Sequence, residues 1–141
     1  MIIFMLKELL NDLTEIDDVL FIVKSNGVVS EIRSNWLKLF QRESWITIGE
    51  NDGPCHMHIN SESLSIAKFI VEEKPDRVSY SVRFFDDNDE RVLACFITKM
   101  YDSDKNLIHT RKKLYDDLFE KYGSQKILEF KNKESWSFHA S

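Results

Sequence analysis

Two of the four histidines in this chain lie two residues apart, at positions 56 and 58. They belong to a run from Cys55 to Asn60 that follows a turn rich in Gly, Asn and Asp over residues 49–54, and the pattern predicts a β-strand. Side chains alternate between the two faces of a strand, so His56 and His58 share one face and the residues between them pack on the other. Neutral imidazole is a common metal ligand and carries protons near neutral pH. The histidine face is therefore the predicted chemical site.

The segments before and after this strand predict an antiparallel sheet. Apolar residues at helical spacing from Ile2 to Leu13 predict a first amphipathic helix. The Asn26-Gly27 pair between two β-branched runs predicts a hairpin over residues 19–32. Further β-branched and aromatic runs predict a meander. The strands that follow the hairpin are expected at residues 36–40, 45–48, 55–60, 65–72, 78–85 and 91–97.

The last third of the chain predicts a second helix. Apolar residues from Leu107 to Tyr122 fall at helical spacing, Asp104 is expected to cap the start, and Gly123 suits a left-handed C-terminal residue. Residues 124–141 alternate apolar with polar residues, which fits both an added edge strand and a mobile tail. The predicted fold class is α+β: an antiparallel β-meander sheet flanked by an N-terminal and a C-terminal helix, in one domain over residues 1–141.

Composition limits the possible partners. The 141 residues are 43% hydrophobic, which suffices for the core of one domain. Nineteen Lys and Arg against 24 Asp and Glu give a net charge of −5, so no nucleic-acid partner is expected. Cys55 and Cys95 form no CxxC motif and predict reduced thiols in a cytoplasmic protein, with a disulfide between them left open. The apolar start at residues 1–6 lacks a basic leader and is too short for a bilayer span, so no membrane insertion is expected.

Several of these segments, in the same order, resemble the ChuX/HutX heme-utilisation proteins, whose fold is shared with the HemS-type heme carriers. Residues 45–53 resemble the family's aromatic strand and glycine-containing turn, and the His-Ile-Asn-Ser-Glu run at 58–62 resembles the strand after it. Residues 66–74 and 81–86 resemble two later strands. The Phe-Ile-Thr-Lys run at 96–99 falls where the family has Phe-Leu-Gly-Arg. The resemblance spans about residues 19–123 and is absent from the first helix and the tail.

The resemblance implies an intracellular heme carrier, heme store or heme-iron utilisation protein that forms a homodimer. His58 matches the family histidine proposed to ligate the heme iron, and His56 is its neighbour on the same face. A second proposed family histidine falls at Lys24, and protonated lysine offers no lone pair to a metal. Lys99 stands in place of the family's arginine and keeps a cation. Lys24, Arg83 and Lys99 are the expected partners of the heme propionates.

Two other interpretations remain open. His56, His58 and Glu62 reproduce the His-x-His-x-x-x-Glu half of a cupin metal site, which would indicate a metal-dependent enzyme. The later histidines, His109 and His139, fall in the predicted helix and tail rather than in a second cupin motif. The other interpretation is a dimeric module of the same fold that has lost heme binding. No hydrolase triad, phosphate loop or catalytic-cysteine signature is present, so we expect no catalytic residues, although heme degradation stays open.

Overall fold

A computed structural model describes residues 2–33, 35 and 37–131 of the chain. The predicted first helix is confirmed as α1 (Ile2–Glu15), and the leucines of its apolar stripe are buried. The second helix is α2 (His109–Lys121). The described residues also form nine strands: β1 (Val19–Ser25), β2 (Val28–Arg33), β3 (Leu39–Arg42), β4 (Trp45–Gly49), β5 (His56–Asn60), β6 (Ile66–Glu73), β7 (Val78–Phe85), β8 (Arg91–Ile97) and β9 (Ile127–Glu129).

The strands divide between two antiparallel sheets instead of the one sheet predicted, and the predicted meander is present as β6, β7 and β8. One sheet has six strands in the order β2-β1-β8-β7-β6-β9, and the other has three in the order β3-β4-β5. The α+β class is confirmed. The chain leaves the larger sheet after β2 and returns at β6. Between them, Ile46 and Ile48 of β4 are buried and join the core.

One face of the six-stranded sheet carries the core. Phe21, Val82 and Phe84 are at most 1% exposed there. Helix α2 packs on this face, since the ring of Tyr115 meets that of Phe69 edge-on at a centroid distance of 5.8 Å. Helix α1 is tied to α2 by an ion pair between Asp12 and Lys121 at 2.8 Å. Both helices therefore lie on the same side of the larger sheet.

The start of α2 differs from the sequence prediction. The helix begins at His109, and its N-cap residue Ile108 makes no capping hydrogen bond through its side chain, so the predicted cap at Asp104 is wrong. Asp104 instead belongs to a tight turn in which the Asp102 carboxylate accepts hydrogen bonds from two backbone amides. Asp competes for local backbone amides in turns as readily as at helix starts. The predicted C-terminal glycine is confirmed, because Gly123 has a φ of +86°.

Two further segments refine the prediction. The third strand begins at Leu39, three residues after the expected start at Trp36, which lies outside the described residues. Strand β9 pairs with β6 at the sheet edge, which confirms the edge-strand alternative for residues 127–129, and residues 132–141 lie outside the described part.

Cys55 and Cys95 are free thiols. Neither described helix has the length and hydrophobicity to cross a bilayer.

Candidate functional site

The cross-strand register of the three-stranded sheet places His58 beside Thr47 of β4, which in turn pairs with Phe40 of β3. Ile46 and Ile48 are fully buried on the core side, so the residues between and beside them point the other way. His58, Thr47 and Phe40 thus form one row across the face that points away from the core. This result confirms the predicted exposure of the histidine face.

The rows on either side complete this surface, which we call the outer face. Trp45 pairs with Asn60 and with Arg42, and Gly49 pairs with His56. Phe40 and Trp45 are 45% and 48% exposed, which is a large apolar surface for side chains of this size. The outer face comprises Lys38, Phe40, Arg42, Trp45, Thr47, Gly49, His56, His58 and Asn60.

A hydrogen bond fixes the ring of His58. The hydroxyl Oγ1 of Thr47 lies 2.9 Å from Nδ1 of His58, and Thr47 itself is only 5% exposed. When Nδ1 carries the ring proton it donates to Thr47, and Nε2 then presents its lone pair. No side chain in the described part of the chain hydrogen-bonds Nε2. His58 therefore offers one nitrogen to a ligand while the other is held.

His56 lies opposite a glycine that the strand pairing requires. Gly49 has a φ of +95°, and a Cβ built there would lie 2.5 Å from the carbonyl oxygen of Cys55 and 2.9 Å from Cα of His56. Any side chain at position 49 would push β5 away from β4. The rings of His56 and His58 meet edge-on with their centroids 5.1 Å apart. The glycine thus allows β5 to pair closely with β4, and the two imidazoles lie side by side on the exposed face of β5.

A cleft of about 300 Å³ runs along the free edge of β5. Val23 and Leu93 of the six-stranded sheet form part of one wall, and His58 and Trp45 contribute to the other, with Asp86 nearby. Sites with mostly apolar walls and a few polar groups are typical of small-molecule binding. His58 therefore borders both the outer face and an apolar cleft.

The three cations expected at the propionates lie elsewhere in the chain. Lys24 follows Val23 on β1 and so points to the sheet face opposite the cleft. Arg83 is on that opposite face too, where it donates to Glu72 at 2.9 Å and lies over the Phe96 ring.

Lys99 follows the end of β8, about 20 Å along the chain from Leu93 at the cleft. There it forms an ion pair with Asp18 at 3.0 Å. The structure thus does not bring Lys24, Arg83 or Lys99 to His58 within one chain.

Sequence reasoning missed the cations that do share the outer face. Lys38 immediately precedes β3 and Arg42 is its last residue, and the two share one face with Phe40 between them. Lys38 is exposed and forms an ion pair with Glu50 at 3.3 Å. The alternation of Lys, Phe and Arg at every second position was the available signal. It was missed because the strand was expected to end at residue 40, before Arg42.

The cupin-like interpretation lacks its ligand set. Among the residues described, no group of three or more His, Cys, Asp or Glu side chains is placed to hold a metal ion. Glu62 therefore does not join His56 and His58. Its backbone amide instead donates to the side chain of Asn60, at the start of a short 3₁₀ turn.

A protein-family model for ChuX-like proteins matches residues 7–123. The chain belongs to this ChuX-like family. The match begins within α1, earlier than the expected start near residue 19, and it covers both sheets except for β9. The outer face therefore lies wholly inside the ChuX-like part. The sequence matches no curated protein.

Solved structures share the ChuX-like fold. A crystal structure of ChuX is 18% identical with a TM-score of 0.70, covering 84% of this chain and 72% of that one. A structure described as the heme-binding protein ChuX is 17% identical with a TM-score of 0.67, covering 81% and 70%. PhuS, a heme-binding protein from Pseudomonas aeruginosa, is 14% identical with a TM-score of 0.61, and the match covers 81% of this chain and 32% of PhuS.

Proposed function

We propose that this chain binds heme on the outer face of the three-stranded sheet, with His58 as the axial ligand to the iron. The support comes first from the nitrogen donor. His58 is exposed, and its Nδ1 is held by Thr47 at 2.9 Å, so Nε2 is the ligating atom. A hydrogen bond from the second ring nitrogen is the usual support for an iron-ligating or zinc-ligating imidazole. The ChuX and PhuS structures described as heme-binding proteins have the same fold.

The rest of the outer face fits the other requirements of heme. A porphyrin needs an apolar surface, and two half-exposed aromatic rings supply it: Phe40 in the Thr47 row and Trp45 in the neighbouring row. The two propionates need cations or water. Arg42 is the last residue of β3 and Lys38 immediately precedes that strand, which lies two strands from β5 and thus about 10 Å away from it. Bound heme would supply the iron chemistry, while these residues would bind and orient it.

We also propose that the chain forms a homodimer. The face of the six-stranded sheet opposite the helices carries the half-buried apolar residues Leu20, Ile22 and Phe96. It also carries the Arg83–Glu72 ion pair, so the same patch holds charges of both signs. A surface of that kind is self-complementary about a twofold axis. We expect Phe96→Asp to convert a dimer into a monomer by sedimentation velocity, and a wild-type chain that sediments as a monomer would overturn the proposal.

The dimer bears on the expected cations. Lys24, Arg83 and Lys99 face or border the proposed dimer surface, so any contact that they make with heme would be to heme held by the second copy. Their role at the propionates remains our prediction on that condition. If replacing each of these cations by glutamate leaves hemin affinity unchanged, the prediction that they bind the propionates is wrong.

We propose a carrier or store rather than a heme-degrading enzyme. The outer face is open, which favours handing heme to another protein, whereas chemistry on bound oxygen requires a site that excludes water. The free thiols of Cys55 and Cys95 suit a reducing, cytoplasmic compartment. Holo-protein mixed with apomyoglobin should transfer its heme. Ascorbate is then added to the holo-protein and, as a control, to hemin bound to albumin. A faster loss of the Soret band in the holo-protein would instead indicate heme degradation.

A hemin titration followed by absorbance tests the function and its ligand. We expect a saturable Soret shift at one heme per chain that is lost in His58→Ala. The matched control is His109→Ala, which removes an exposed histidine at the start of α2. A shift that survives in His58→Ala would move the site elsewhere. No shift in the wild-type chain would select the alternative of a ChuX-like module that has lost heme binding.

A further inference from the structure

The spacing of His56 and His58 suits a second kind of ligand. Their ring centroids are 5.1 Å apart and the rings meet at 68° rather than stacking. A tetrahedral ion with metal–nitrogen bonds of about 2.0 Å holds the centroids of two imidazole ligands about 5 Å apart, because each centroid lies about 1.1 Å behind its nitrogen. The two rings are therefore already at the separation that a shared ion requires.

The surroundings favour entry of such an ion. Both histidines are exposed, and Gly49 beside His56 presents no side chain that would block the approach. Thr47 occupies Nδ1 of His58, so the free Nε2 is the donor there. The nearest lysine on the outer face, Lys38, is paired with Glu50, which reduces its repulsion of a cation.

Two imidazoles select the class of ion. Imidazole nitrogen suits Zn²⁺, Cu²⁺ and Ni²⁺, whereas Ca²⁺ and Mg²⁺ take oxygen ligands. We propose that His56 and His58 form a two-histidine chelate for a divalent transition-metal ion of the zinc and copper class, with water completing the coordination. This differs from the cupin-like site because it uses no carboxylate.

The chelate would regulate heme loading. Nε2 of His58 can bind only one metal, so the divalent ion and the heme iron exclude each other. His56 would decide the competition, since it adds a second bond to the small ion and none to the heme. This part of the inference rests on the proposed heme function, while the chelate itself does not.

Calorimetric titration of the heme-free chain with zinc chloride tests the chelate. We expect one ion per chain, with an affinity that falls at least tenfold in both His56→Ala and His58→Ala and is unchanged in His109→Ala. Both histidines are exposed, so circular dichroism should show folded variants. Equal zinc affinity in wild type and either variant would overturn the chelate, as would loss of binding in His109→Ala.

Hemin titration with and without saturating zinc chloride tests the exclusion. Zinc should weaken hemin binding at least tenfold in the wild-type chain and have no effect in His56→Ala, which keeps the heme ligand. Zinc that binds without changing hemin affinity would overturn the exclusion. If hemin binds to no variant, the proposed function fails, and the calorimetric result still decides the chelate.

Discussion

Thr47 holds His58 by a hydrogen bond across strands β4 and β5, with Oγ1 and Nδ1 2.9 Å apart. Thr47 is only 5% exposed although it lies on the outer face. A shielded partner of this kind fixes both the ring orientation and the tautomer of the imidazole. Thr47 is thus a positioning residue for the proposed ligand.

Replacing Thr47 tests this arrangement. We expect Thr47→Val, which keeps the shape and removes the hydroxyl, to weaken hemin binding by about 10-fold to 100-fold, the usual effect of losing a partner of a metal-ligating histidine. Thr47→Ser retains the hydroxyl and should bind within a few-fold of wild type. Absorbance titration of the three proteins gives the comparison. Equal affinities for Val and Ser would show that the hydrogen bond does not orient the ligand.

Gly49 should be intolerant of a side chain. An alanine there combines a left-handed φ of +95° with a Cβ 2.5 Å from a backbone oxygen, so we expect Gly49→Ala to lower the free energy of unfolding by about 1–3 kcal/mol. Gly27→Ala is the control, since no atom lies within 4 Å of its added Cβ, and it should change stability by at most about 0.5 kcal/mol. Urea unfolding measures both. Similar losses at the two positions would contradict the role of the close approach.

The Arg83–Glu72 pair should make stability depend on pH. The Arg83 guanidinium lowers the pKa of Glu72 below its usual 4.5, so the stabilisation is present above about pH 4.5 and is lost as the pH falls through the lowered pKa. Glu72→Gln should therefore differ most from wild type near neutral pH and least in acid. Urea unfolding at several pH values measures this difference. Glu73→Gln, on the other side of the same strand, is the control, and a constant difference across pH for Glu72→Gln would disprove the prediction.

The two cysteines should react at very different rates. Cys95 is fully buried in β8, and burial raises the pKa of its thiol, whereas Cys55 is half-buried just before β5. A disulfide-exchange reagent should therefore modify one thiol quickly and the second only in denaturant. Cys55→Ser should remove the fast phase. Two fast thiols in the folded protein would contradict the burial of Cys95.

Local patterns in the sequence predicted the parts of the fold that depend on neighbouring residues. The apolar stripe of α1, the hairpin at Asn26-Gly27 and the outward direction of His56 and His58 all follow from periodicity within a few residues, and the structure confirms them. The pairing of β1 with β8, about 75 residues apart in sequence, has no local signal. Strands β6, β7 and β8 form the predicted meander, but the expectation of a single sheet was wrong because the chain forms a second one.

The site was predictable only in part for the same reason. His58 could be placed on an exposed face by alternation alone. Whether Arg83 shares that face depends on which strands pair and on which side the helices pack, and the structure places it on the opposite side of the larger sheet. The partner Thr47 depends on the register between β4 and β5, which a pattern within one strand does not contain.

The division into two sheets also separates their backbones. In the described part of the chain, the three-stranded sheet is attached to the six-stranded sheet through packed side chains and not through a shared ladder of hydrogen bonds. Its amide protons can therefore exchange with solvent through local openings that leave the larger sheet closed. Heme or a metal ion bound on the outer face would slow exchange in β4 and β5 first, and a deuterium-exchange map would register occupancy before any change in overall unfolding.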